Sequence, residues 1–111
     1  MPFKPPKAAG KAAEVGLEQR REFGRGGTPV GVARARDLAA GKNMPDSTIK
    51  RMHSFFQRHE VDKKGKGFYP GDEGYPSAGR IAWNLWGGEP GRKFARGARN
   101  KILARLKRAK G

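Results

Sequence analysis

Apolar residues recur along this chain at intervals of three and four and never alternate with polar ones over a strand's length, so the pattern predicts an all-α fold. The strongest stripe is Ile49, Met52, Phe55 and Phe56. It predicts a helix from Asp46 or Ser47 to about His59, with Lys50, Arg51, Gln57 and Arg58 off the apolar face. Before it, Thr28 and Pro29 read as a cap and first turn, Val32, Ala35, Leu38 and Ala39 gather towards one side, and Gly41 stops the helix after Ala40. A thinner helix is predicted from Lys11 to about Phe23, with Val15, Leu17 and Phe23 its only large apolar residues. From Glu60 to Pro76 the periodicity lapses, which points to a long loop, with Phe68, Tyr69 and Tyr75 suggesting that part of it packs down and mobility expected from Asp62 to Tyr75. Ser77 then caps a short helix carrying Ile81, Ala82, Leu85 and Trp86, and Gly87-Gly88 ends it. The last helix opens at Glu89-Pro90 and continues to about Lys110.

These elements suggest a flexible basic arm at 1–10, a helical core domain at 11–90 and a basic C-terminal helix at 91–111. Leu38, Ile49, Met52, Phe56, Ile81, Leu85 and Trp86 form the expected core, while Trp83 lies on an adjoining face where packing and base stacking are both open. A chain of 111 residues supports one domain, and its 17 Gly and 8 Pro divide that domain into short elements.

Charge changes the picture most. The 25 Lys and Arg against 10 Asp and Glu leave +15, which favours polyanionic partners and opposes self-association. Residues 91–111 hold nine Lys and Arg and no acid, so they supply +9 of the total. Phe94, Ala98, Ile102 and Leu106 follow at four-residue intervals there, with Ala95 and Leu103 beside them. The result is a basic amphipathic helix, a form suited to nucleic acid, an anionic membrane surface or a protein partner. Like charges four apart disfavour a helix, so a polyanion is the expected partner and a membrane the less favoured one. The expected nucleic-acid-binding residues are Arg92, Lys93, Arg96, Arg99, Lys101, Arg105, Lys107 and Arg108, with Lys4, Lys7 and Lys11 adding long-range attraction.

Other chemistry is thin. No cysteine is present, so disulfides and thiolate zinc sites are excluded. His53, His59, Glu60 and Asp62 are the only cluster resembling a metal or acid–base site, but the histidines are six positions apart, which points them to different sides of a helix. Gly24-Arg25-Gly26-Gly27 lacks the spacing of a phosphate-cradling loop and reads as a turn. Ser47, Thr48, Lys50 and Arg51 sit where a recognition helix would meet DNA, yet the five-residue turn from Gly41 to Pro45 and Asp37 before it fit an ordinary helical hairpin better. No catalytic residue, metal or cofactor is expected, and the chain reads as non-enzymatic.

Three segments carry a resemblance: GTPVGVARARDL at 27–38, MHSFFQRHEVDK at 52–63 and PSAGRIAWNLWGG at 76–88. Together they resemble a small uncharacterised domain common in tailed bacteriophages and prophages. The similarity spans about residues 12–97, and its last block is the most specific. Such domains occur as short proteins and attached to head-assembly proteins such as proteases. The resemblance implies a phage origin and a virion or packaging context; the chain is expected in the host cytoplasm or the virion, with DNA the expected nucleic acid and RNA left open. The resemblance also implies an alternative role, a capsid-associated, cement or internal head protein that docks its basic face on capsid protein or packaged DNA. It supplies no site residues, so the basic end after Arg96 rests on charge alone.

Overall fold

A computed structural model describes residues 2–110 of the chain. The fold is all-α, with helices α1 (Lys7–Phe23), α2 (Pro29–Ala39), α3 (Asp46–His59), α4 (Ala78–Leu85) and α5 (Gly88–Lys110), and a 3-10 helix at Glu60–Lys64. The caps anticipated from sequence are formed. Thr28 Oγ1 accepts from the Gly31 amide at 3.3 Å, and Ser77 Oγ accepts from the Arg80 amide at 3.0 Å.

Helix α1 is the element on which the others assemble, packing against α2, α4 and α5. Of the large apolar set expected, only Leu17 packs against the core, partly buried; Val15 and Phe23 are exposed, and the buried positions are Ala9, Gly10, Ala13 and Gly16. These small residues let backbones approach closely. A Cβ added at Gly10 would lie 2.8 Å from the Leu38 carbonyl oxygen, and one at Gly16 would lie 2.7 Å from the Leu85 nitrogen. Helix α1 also begins at Lys7, four residues before the expected start, and the segment ahead of it is pinned rather than free. Phe3 pairs with Met44 in an isolated antiparallel bridge, and Lys4 Nζ donates to the Gly41 carbonyl at 3.0 Å.

The predicted hairpin of α2 and α3 does not form. Helix α2 packs on α1 and α4, α3 packs chiefly on α5, and α2 and α3 do not touch. All seven expected core residues are buried, and Trp83 joins them, deeper than Trp86. Phe55, Phe56 and Phe68 surround Trp83 at ring separations of 4.8–6.5 Å. Phe68 explains the long loop. It is 1% exposed, and the Ser77 amide donates to the Gly67 carbonyl at 2.8 Å, so the segment is folded down around one aromatic anchor. Its tip, Tyr69 to Gly74, is turned outward, as are Val61 and Lys64 to Lys66 before the anchor.

Helix α5 is not a separate appendage. Gly91, Ala95, Ala98 and Ile102 form its buried stripe against α3 and α1, while Leu103 and Leu106, 46% and 48% exposed, lie beyond the core. The charged end therefore continues past the domain surface, in a molecule whose principal dimensions are 52 × 28 × 21 Å.

Gly16→Ala is expected to destabilise by about 1–3 kcal/mol, because the new methyl meets backbone that cannot yield. Gly97→Ala, in the middle of α5 with open space around it, is expected to stabilise by roughly 0.5–1 kcal/mol. Phe56→Ala is expected to cost about 3–5 kcal/mol. Urea unfolding measures all three, and a neutral Gly16→Ala would show that α1 does not depend on close approach.

Candidate nucleic-acid interface

The eight cationic residues expected to contact nucleic acid divide into two groups. Arg92 is tied to Glu89, with its Nε 2.7 and 3.0 Å from the two carboxylate oxygens. Glu89 also accepts from Lys63 Nζ at 3.1 Å, and the same ammonium reaches Glu60 at 3.1 Å and lies 4.8 Å from the Trp83 ring. Burial opposes ionisation in this network, but the hydrogen bonds outweigh it: the Glu89 carboxyl is held below its usual range and the Lys63 ammonium above its own. Arg105 pairs with Asp46, the first residue of α3. Arg105 therefore fastens α5 to α3, while Arg92 pairs within α5 and supports the Glu89 that Lys63 grips from the 3-10 helix.

The other six, Lys93, Arg96, Arg99, Lys101, Lys107 and Arg108, have no ion-pair partner among the described residues. All but Arg99 are exposed. At 100° per residue, Lys93, Arg96 and Lys107 line the side of α5 opposite its buried stripe, and Lys101 and Arg108 flank them on one side. From Lys93 onward this face carries no carboxylate of α5; Glu89, already engaged by Arg92 and Lys63, lies on the same side at the start of the helix. Of the N-terminal lysines expected to assist, Lys4 is engaged with Gly41, while Lys7 and Lys11 border a shallow depression between α1 and the end of α2, which Glu14 also lines.

His53 sits between α3 and α5, beside Phe56, Gln57, Glu60, Arg92 and Arg96. Partial burial lowers its pKa, and the nearby Arg99 charge lowers it further. His59 lies on the other side of α3, its Nδ1 2.9 Å from Asp62 Oδ2 and its ring stacked on Phe55 at 4.4 Å. The two histidines do not converge, and no group of three potential metal ligands occurs among the described residues.

Thr48 is buried, so it does not offer a hydroxyl to a DNA groove as the recognition-helix reading required. In place of a helix-turn-helix, the divergence of α2 from α3 leaves an open groove of about 640 Å³. Lys50, Arg51, Arg58 and His59 line it, above a floor formed by Phe55, Ala82 and Trp86. Sequence reading placed these cations off the apolar face of α3 but not in a groove, because the divergence is set by contacts of α2 with α1 and α4. Comparison with protein-family models, with curated proteins and with solved structures gives no match.

Arg99→Gln is expected to raise the His53 pKa towards the ordinary 6.5, as read from its imidazole proton shifts. Because the folded-state value is the lower one, the unfolded chain binds the proton first. The stability linked to His53 is therefore complete above pH 6.5 and declines as pH falls through that value. No movement of the His53 titration in Arg99→Gln would show that Arg99 does not act on it.

Proposed function

We propose that this protein is a non-enzymatic, sequence-independent nucleic-acid-binding protein whose main interface is the free cationic face of α5. The observation that carries the reading is the division of the arginines and lysines. Of the eight expected contacts, Arg105 is consumed in tying the helix to α3 and Arg92 in pairing with Glu89 of the same helix, and six remain without an acid partner on a helix that extends past the core. Unpaired cations along one face of a rigid rod suit a regular array of phosphates. Each phosphate neutralised releases a condensed counterion, so the driving force is electrostatic and indifferent to base sequence. The resemblance of the central segments to a phage domain supports a phage setting, with the nucleic acid, DNA on this reading, met in the host cytoplasm or inside the particle.

The geometry refines the contact set from sequence. Arg92 and Arg105 belong to the scaffold, and about four of the remaining six face one duplex at once. Log affinity is then expected to fall with log salt at a slope of roughly −3.6. Replacing Arg96 and Lys107 together by Ala is expected to make the slope shallower by about two units on any duplex sequence. Arg92→Ala and Arg105→Ala are expected to lower the unfolding midpoint instead, through the loss of pairs worth about 1 kcal/mol or less each at such exposure. Mobility-shift titration over a range of salt on unrelated duplexes tests this. An absence of binding at low salt would overturn the reading, as would an unchanged slope in the double variant or uptake by anionic vesicles in place of DNA.

A further inference from the structure

The groove between α2, α3 and α4 carries a second set of cations that the α5 interface does not use. Lys50, Arg51 and Arg58 are exposed, none has an acid within ion-pair distance among the described residues, and no carboxylate lines the groove. Its upper edge is the start of α2, where Gly27 and Thr28 lie and the helix presents its positive end. The hydroxyls of Thr28 and Ser54 are also in the lining.

Three features fix the chemistry of an occupant. The first is extent. Lys50, Arg51 and Arg58 are spread over about 12 Å along the axis of one helix, an extent that successive phosphates of a backbone span. The second is the floor. Phe55 and Trp86 stack on each other at 4.7 Å with an interplanar angle of 11°, and are only 5% and 8% exposed. The floor therefore offers neither of these rings for base stacking, and the cations and hydroxyls of the lining meet a backbone rather than bases. The third is placement. Arg51, Ser54 and Arg58 lie on the side of α3 opposite His53 and Glu60, which face the cleft with α5. The two cationic surfaces therefore stand back to back across α3.

From this we infer that the groove holds the phosphate backbone of a second nucleic-acid segment, so that one copy of the chain bridges two segments, one on α5 and one between α2 and α3. The inference rests on the α5 reading and adds a bridging activity to it. Like charge on the two faces does not prevent double occupancy, since each bound segment brings its own neutralising phosphates and the +15 chain has charge for both.

The test uses the full chain with two short duplexes of unrelated sequence carrying different dyes, at low salt. Sedimentation establishes that the protein stays monomeric and reports how many duplexes each copy carries. Two duplexes per chain are expected, with the two dyes diffusing together. The groove variant Lys50→Glu, Arg51→Glu, Arg58→Glu changes only exposed side chains, and its unfolding midpoint serves as the folding control. It is expected to carry one duplex per chain, to lose the joint diffusion, and to bind that duplex within about threefold of the native affinity. The α5 variant Arg96→Glu, Lys107→Glu is expected to retain a duplex in the groove, read as a change in tryptophan emission, because the Trp86 indole lines it. One duplex per native chain overturns the bridging proposal and leaves the α5 reading intact. Joint diffusion that survives in the groove variant also overturns it. If a poly-glutamate chain quenches the tryptophan signal in the α5 variant and duplex does not, the groove is a protein-docking surface and the proposal fails. Absence of any duplex binding to the native chain removes the α5 reading as well.

Discussion

Helix α1 meets α2 and α4 through a face of Ala9, Gly10, Ala13 and Gly16, and the spacing this permits governs everything built around it. With backbones separated by less than a methyl group at Gly10 and Gly16, α2 and α4 are drawn tightly to α1. Helix α2 is thereby committed to that side of the molecule and is unavailable to α3. The aromatic residues of α3 are left to pack on Trp83, Trp86 and α5, and the space between α2 and α3 stays open. A groove that looks like a missing contact is the consequence of a contact made too well elsewhere.

The same architecture assigns the charges. Nearly all the favourable pairing in α5 is concentrated at two points, Glu89–Arg92 near its start and Asp46–Arg105 near the end of its buried stripe. Between and beyond them the cations have no partners, and their mutual repulsion is a standing cost to the helix. Burial of Gly91, Ala95, Ala98 and Ile102 offsets that cost along the first half. Past Ile102 there is no such compensation among the described residues, so the free end is where an external polyanion changes the energetics most.

The parts of this fold that were legible in the sequence are those with large apolar side chains at regular spacing. Ile49, Met52 and Phe56, or Ile81, Leu85 and Trp86, announce a buried face because burying each side chain yields a large transfer free energy. The α1 face is silent to the same reading, since Gly and Ala contribute almost nothing to hydrophobic periodicity while Val15 and Phe23 suggest the wrong side. Phe68 was legible only in part: with Tyr69 and Tyr75 it marks a loop that packs down somewhere, but among Gly, Lys and Pro these aromatics have no period, and it takes the contacts with Trp83 and Arg80 to single out Phe68 as the anchor. For the interface, the cationic density of α5 was plain, but the engagement of Arg105 by Asp46, 59 residues away in sequence, was not. Lys50, Arg51 and Arg58 were visible as off-face charges on α3, and what they surround depended on a helix that does not touch them.

Helix α5 has one further property, and it is mechanical. It follows α4 with only Trp86 and Gly87 between them and runs unbroken from the buried Gly91 to the exposed Lys110. Tension applied to its charged end is carried along a continuous rod into the interior rather than taken up by a slack linker. The buried stripe lies parallel to that pull, so its contacts are loaded together in shear instead of being peeled apart one at a time. The domain is built to resist being dragged by whatever its tail holds.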